Sequence, residues 1–407
     1  EYRTENFQIF AGEEGSYATY DTNGLAIVRP EQVIPIDQVT GEERPGGSQG
    51  FPGYSPANAV DRSRSNLAMY ADAEFNITKS FLIGAALRFE DYSDFGETFN
   101  YKLAARYNIT KNLALRGSVS SGFRAPSLAQ IYYNLRFTNF VGGNAQEVLL
   151  SPNNSPVTRG FGIGALKEET AVNTSVGLTF SKGGFSATID AYSIKIDDRI
   201  VLTEYFDATS LGLNVVAAQF FANGIDTRSQ GLDLVLNYRT FFGTNKFSIG
   251  LIGNINDLEI KKIKNRQLDP NTFFGPREQY FLMASAPDYK FGINAGFSLS
   301  KFDIAFALTQ FSKVTLLDWQ IYEDDADYGG YANKLAAAMD VYDARLVTDL
   351  SLTYRFSPKL SLTLGGNNIL NAYPTVQDDW TDSGGFWDSV QMGTSGAYYY
   401  ARLGFRF

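Results

Sequence analysis

At 407 residues and a formal charge of −9, with neither Cys nor His, the chain is bounded first by what it lacks. Without His there is no Ser-His or Cys-His nucleophile, no His-ligated zinc and no His-bound haem. Without Cys there is no disulfide or thiolate metal site, and an acidic chain with no basic patch is a poor partner for nucleic acid.

In chain order, the segments are built on a period of two. In Asn66 to Ile77, Leu67, Met69, Ala71, Ala73, Phe75 and Ile77 share one face, and Asn66, Tyr70, Asp72, Glu74 and Asn76 the other. Phe81, Ile83, Ala85, Leu87 and Phe89 alternate with Gly84, Arg88 and Glu90; Tyr101 to Ile109 and Phe291 to Leu299 repeat the pattern. Helices repeat at 3.6 residues and cannot produce it; strands with one apolar face do. About 14 such strands are expected, near 1–10, 64–77, 80–92, 97–109, 112–122, 168–181, 184–197, 227–240, 245–257, 287–299, 301–313, 346–356, 359–370 and 397–407. No run approaches the 18 or more apolar residues of a membrane helix.

The connections between these strands alternate. Six tight ones, Asn76-Ile77-Thr78-Lys79-Ser80, Asn108-Ile109-Thr110-Lys111-Asn112, Ser181-Lys182-Gly183-Gly184, Phe242-Gly243-Thr244-Asn245, Ser300-Lys301 and Ser357-Pro358-Lys359, take turns with long ones near 11–62, 123–167, 198–226, 258–286, 314–345 and 371–396. A short connection at 91–96 is the exception. Short turns on one side and long loops on the other are the pattern of an outer-membrane barrel, with the long loops extracellular. A soluble β-sandwich would need neither such uniformly long strands nor one-sided loops. The last residues, Ala397 to Phe407, alternate Tyr399, Ala401, Leu403, Phe405 and Phe407 against Tyr398, Tyr400, Arg402, Gly404 and Arg406. This segment resembles the final strand of bacterial outer-membrane barrels, where the resemblance makes Phe407 part of the membrane assembly signal.

Arg116 to Gln130, with Gly122-Phe123-Arg124-Ala125-Pro126 at its centre, resembles the most recognisable segment of TonB-dependent outer-membrane receptors. Asp91-Tyr92-Ser93-Asp94-Phe95-Gly96, Ala165-Leu166-Lys167-Glu168-Glu169-Thr170 and Gly366 to Pro374 resemble three further segments of that family, in its order. The resemblance implies an all-β, transmembrane, antiparallel up-and-down β-barrel of about 22 strands around a folded plug. Residues 1–407 would then be the C-terminal portion of that barrel, the plug and first strands being absent from this chain. Glu1-Tyr2-Arg3-Thr4-Glu5 lacks the apolar core of a signal peptide, which also suggests a start inside a longer exported protein. The function implied is active import of a scarce nutrient across the outer membrane of a Gram-negative cell, with no covalent chemistry and no cofactor. Its partners would be the TonB complex, through the missing N-terminal part, together with outer-membrane lipid, the barrel assembly machinery and a small-molecule or oligosaccharide ligand. A passive porin-like channel is the alternative; an outer-membrane enzyme or an adhesin is a remoter one.

Pro126 cannot donate to a ladder and restricts Ala125, so Gly122 to Pro126 reads mainly as a strand end. Trp319, Trp380 and Trp387 fall in predicted extracellular loops beside Glu323-Asp324-Asp325-Asp327 and Asp378-Asp379-Asp382-Asp388. With Asp378, Asp379 and Asp382 these Trp could hold a sugar or an aromatic chelate. The pattern favours the plainer reading, an interfacial aromatic girdle with solvated acidic tips; the oxygens would also suit calcium, though no EF-hand spacing is present. Arg88, Arg106, Arg116, Arg239, Arg355, Arg402 and Arg406 fall on the polar face with Asp72, Glu74, Asp190, Asp233 and Asp349, where they would anchor a plug and hydrate the wall.

Overall fold

The computed structural model describes residues 1–9, 18–20, 26–28, 58–141, 144–211, 215–265, 268–377, 386–388 and 391–407. Fourteen strands form one sheet in which each strand pairs with its neighbours in chain order, all antiparallel. They are β1 (Tyr2–Ile9), β2 (Val60–Asn76), β3 (Phe81–Tyr92), β4 (Gly96–Asn108), β5 (Leu113–Arg124), β6 (Glu169–Lys182) and β7 (Phe185–Leu202). The second half comprises β8 (Phe221–Phe242), β9 (Asn245–Ile263), β10 (Tyr289–Leu299), β11 (Phe302–Phe311), β12 (Arg345–Ser357), β13 (Leu360–Asn367) and β14 (Tyr398–Phe405). Each expected strand is present, and the long and tight connections fall as the sequence implies.

The alternation sorts the two faces. Leu67, Met69, Phe75, Leu87, Leu103, Val176, Leu178, Ile189, Leu232 and Leu364 project from the outer face and are exposed, as lipid-facing groups must be. On the inner face, cross-strand register lines up Arg106, Arg116, Gly177, Asp190, Asp233 and Asn254 on six successive strands. Arg116 reaches across β6 to grip Asp190 on β7 with two bonds, 2.8 Å from Nε and 2.5 Å from Nη2. Gly177 makes this possible: a Cβ there would lie 1.9 Å from the Asp190 carboxylate. Tyr192 crosses Gly231 in the same way, its hydroxyl donating to Asn256 at 3.0 Å.

β7, β8 and β9 outrun the membrane furthest. They have 18, 22 and 19 residues, whereas ten or so tilted residues cross an apolar band of about 25 Å. Past that band they support a second layer built from the long loops. A four-stranded sheet orders residues 206–207, 217–219, 144–150 and 135–141. Its core joins Leu149, Ile163, Phe206, Ala218 and Phe220 to Val201, Ala222 and Ile225 of the strand extensions and to Phe273 of a short helix, Pro270–Phe273. Asn153 locks the loops together, donating to the carbonyls of Gly164 and Phe221 and accepting from the Leu166 N–H.

Candidate functional site

The extracellular mouth is built where the conspicuous sequence segments meet. Gly122 to Arg124 end β5, and Pro126 is fully buried where the chain leaves the wall. Ser127 then caps the helix Leu128–Tyr132, its hydroxyl accepting from the Gln130 N–H while the Gln130 side chain accepts from the Ser127 N–H. This reciprocal cap turns the chain sharply.

Arg124 forks onto Glu169, the first residue of β6, which also accepts from the Ile200 N–H at 2.7 Å. One buried carboxylate thereby ties β5, β6 and the extension of β7.

Behind this junction lies Arg64, on β2 and almost wholly buried. It donates to the Pro126 carbonyl at 2.8 Å, to Glu5 of β1 at 2.5 Å and to Asp94 at 3.4 Å. Its guanidinium covers the rings of Tyr92 and Phe95, which stack at 4.5 Å and meet Phe123 edge-on and tilted. The 91–96 hairpin and the Gly122–Pro126 segment are thus two halves of one packed unit, and Arg64 is its hub. Nothing in the sequence patterns singled out Arg64, because a lone Arg on the polar face of a strand resembles any other lumen cation.

Gly366 to Pro374 has an equally local logic. Asn368 and Asn371 take left-handed φ of 49° and 54°, a conformation Asn tolerates better than most side-chain-bearing residues. The Asn368 side chain bonds both ways with Ala372, and the Asn371 side chain accepts from the Ala397 N–H, tying the loop's start to its end.

Trp387 packs flat on Tyr373 with ring centres 5.7 Å apart, and its indole N–H donates to the Pro374 carbonyl at 3.2 Å. Asp388 beside it is buried, its N–H donating to the Tyr342 hydroxyl at 2.9 Å. Burial, followed by the neighbouring Asp388 and Asp340 charges, pushes the Tyr342 phenol well above its ordinary range. Trp319 starts a short 3-10 helix, Trp319–Tyr322; its side chain, and Asp378, Asp379, Trp380 and Asp382, lie outside the described residues.

In the other acidic group, Asp324 caps the turn Asp325–Tyr328, Asp325 pairs with Lys334, and Glu323 accepts from Tyr328. That bond to Glu323, then desolvation and the surrounding acids, pushes the Tyr328 phenol up to about 12. These carboxylates are committed to holding the loop. Among the described residues no group of three or more Asp or Glu is placed to hold a metal ion.

Deeper in the lumen, the polar wall changes character around its circumference. The β4–β8 side carries Arg106, Arg116, Asp190 and Asp233. The β9–β14 side has a concavity of about 330 Å³ lined by Ser248, Asn294, Gly296, Asp349, Ser351 and Tyr400. Arg355 on β12 pairs with Asp303 on β11.

A model of the TonB dependent receptor-like β-barrel family matches residues 6–369. The chain belongs to that family. As a TonB-dependent receptor barrel it is a protein of the Gram-negative outer membrane, and the family is one of transporters, not enzymes.

Among curated proteins it is 24% identical over 173 residues to the ferric enterobactin receptor PirA of Pseudomonas aeruginosa, covering 42% of this chain and 23% of that protein. It is 28% identical over 151 residues to the probable TonB-dependent siderophore receptor PirA of Acinetobacter baumannii, covering 35% and 18%. Among solved structures it resembles the Acinetobacter baumannii siderophore receptor PirA, with a TM-score of 0.58 at 19% identity, over 85% of this chain and 46% of that one. A variant of the ferric enterobactin receptor PfeA of Pseudomonas aeruginosa gives 0.58 at 16% identity, over 89% and 48%. The aligned stretches therefore span under a quarter of these curated relatives, and the structural match covers about half of these solved receptors.

Proposed function

We propose that this chain is the C-terminal portion of the barrel of an active outer-membrane receptor. The whole protein captures a scarce nutrient among its extracellular loops and delivers it to the periplasm when the inner-membrane TonB complex acts on a plug encoded upstream. The observation that carries this reading is the family match over residues 6–369, joined to loops that fold into a packed extracellular layer rather than hanging free. A diffusion pore has no use for such a layer, and this favours the receptor over the porin-like alternative. Barrel assembly machinery and outer-membrane lipid are the remaining partners proposed.

For the substrate we propose a ferric chelate, the class named for the curated relatives. The acidic loops favour a chelate that is neutral or cationic over a strongly anionic one, because like charge weakens capture. Trp319, Trp380 and Trp387 with Asp378, Asp379 and Asp382 remain the proposed contacts.

The test is uptake by cells carrying the full-length gene, offered labelled ferric chelates of different charge, cobalamin and oligosaccharides, with and without an uncoupler. Uptake of one class that collapses with the proton-motive force supports the proposal. Entry of many small solutes regardless of the uncoupler overturns it in favour of a passive pore, and energised uptake of a sugar or cobalamin alone overturns the substrate class.

A further inference from the structure

The six tight turns share a feature that nutrient uptake does not use. Each carries one lysine at or beside its bend: Lys79, Lys111, Lys182, Lys246, Lys301 and Lys359. Because the strands alternate in direction, all six fall at one end of the wall, one per hairpin. Successive hairpins lie about 10 Å apart. Five of these lysines are exposed and Lys246 is half-buried. Among the described residues none of the six ammonium groups is in an ion pair. Asp303, two residues from Lys301, is already held by Arg355. A chain of net charge −9 has placed an unneutralised cationic rim at one end and gathered acids such as Glu323, Asp324, Asp325 and Asp327 in a loop at the other.

A second observation sets the depth of that rim. Aromatic pairs line the outer face immediately inside it: Phe81 with Tyr107 at 6.3 Å, Phe180 with Phe185 at 6.0 Å and Phe302 with Tyr354 at 4.9 Å. Such rings mark the interface between hydrocarbon and headgroups. Phe81, Phe180 and Phe302 stand one or two residues from Lys79, Lys182 and Lys301, so those lysines begin about 3–7 Å beyond the belt. Lys182 continues the outward-facing row of Val176, Leu178 and Phe180, and its stem can lie along the wall while its ammonium reaches the headgroup layer.

We propose that this rim is a binding surface for the anionic phospholipid headgroups of the periplasmic leaflet. Single lysines spaced around a circumference match a continuous two-dimensional array of phosphates better than they match one compact acidic partner. The spacing is close to the screening length at physiological salt, so neighbouring lysines reinforce one another. Each basic residue near an anionic surface favours binding by roughly five-fold.

The experiment titrates the detergent-solubilised full-length receptor with phosphatidylglycerol and with phosphatidylcholine and counts retained lipids by native mass spectrometry. Wild-type protein is expected to retain phosphatidylglycerol preferentially. Replacing all six lysines by Gln should lower that preference at least about ten-fold, while Lys167→Gln, Lys261→Gln and Lys262→Gln together, at the opposite end, should leave it unchanged. Equal retention of both lipids, or a preference that survives the six substitutions, overturns the proposal. Loss of binding to isolated peptidoglycan with the lipid preference intact overturns it too, and assigns the rim to the cell wall. Should the six-fold variant fail to fold, the wild-type protein decides between roughly 0.05 M and 0.5 M NaCl. The preference must weaken with salt; if it does not, the rim is not its source.

Discussion

Arg124 and Glu169 stand directly opposite one another across the β5–β6 ladder and close a two-bond fork, Nε to Oε2 at 3.0 Å and Nη2 to Oε1. The carboxylate is buried and the guanidinium half-exposed. Glu169 spends a further bond on the Ile200 N–H, so the pair fixes where the chain leaves the wall on one side and re-enters it on the other. Removing Arg124 strands a buried charge, and removing Glu169 strands an N–H and a cation. Each Ala substitution should cost about 2–3 kcal/mol. The double variant should cost clearly less than the sum, because two partners share one interaction. Urea unfolding of the four proteins in the same lipid measures this; additive losses would show that the fork does not hold the junction.

Gly177 separates Arg116 from Asp190, and its missing side chain lets the ion pair cross the strand. In Gly177→Ala the Cβ would fall 1.9 Å from the Asp190 carboxylate and 2.7 Å from the Ile189 carbonyl. A carboxylate can rotate away but a ladder carbonyl cannot, so the strand must shift. The expected cost is about 1–3 kcal/mol. Gly84 supplies the control: on the same face of β3, its Cβ would meet nothing within 4 Å. Gly84→Ala should therefore leave the unfolding midpoint nearly unmoved. Equal midpoints for the two variants would refute the crossing role of Gly177.

The Tyr342 phenol, fully buried against Asp388, is held protonated beyond its ordinary range. A group whose proton is bound more tightly in the folded state contributes stability that is complete below the unfolded phenol pKa of about 10 and declines as pH rises above it. The 386–388 segment should accordingly loosen on alkalinisation but not on acidification to pH 6. In a titration followed at 295 nm, the difference between wild type and Tyr342→Phe should show no ionisation at pH 10 or 11. A normal phenolate step near 10 would mean that the Tyr342–Asp388 contact does not persist in solution.

Membrane-spanning strands were legible because lipid on one side and a wet lumen on the other impose a strict period of two. That is why Leu67 to Ile77 and Phe291 to Leu299 could be read directly. The pattern fades where the environment stops being two-sided. Ile200, Val201, Ala222 and Ile225 are all buried, because the extensions of β7 and β8 are covered by loops, so their alternation ends and the expected strands stopped short at 197 and began late at 227. The loop layer, with its four-stranded sheet and short helices, left no periodic trace for the same reason. At the mouth, Phe123-Arg124-Ala125-Pro126 was visible as a segment. Its dependence on Arg64, some sixty residues earlier, was not, since a pairing between distant residues has no local signature.

The extracellular layer has its own core, and that core predicts independent loss of order. Phe220 is fully buried among Phe161, Phe206 and Ile225, its ring 5.0 Å from Phe161 and 5.7 Å from Phe206. Truncation to Ala removes a large apolar group that the surrounding loops cannot replace, a cost of about 3–5 kcal/mol. The barrel below keeps its own continuous ladder and lipid-facing surface, so the loss should stay above the membrane as a local unfolding event. Limited proteolysis of Phe220→Ala in lipid vesicles should cut within 123–168 and 198–220 at enzyme levels that spare the wild type. The cleaved fragments should still run as a folded, heat-modifiable barrel on a gel. Collapse of the barrel together with the loops would instead make the two layers one cooperative unit, and wild-type resistance in the variant would mean that the Phe220 cluster does not order the loops.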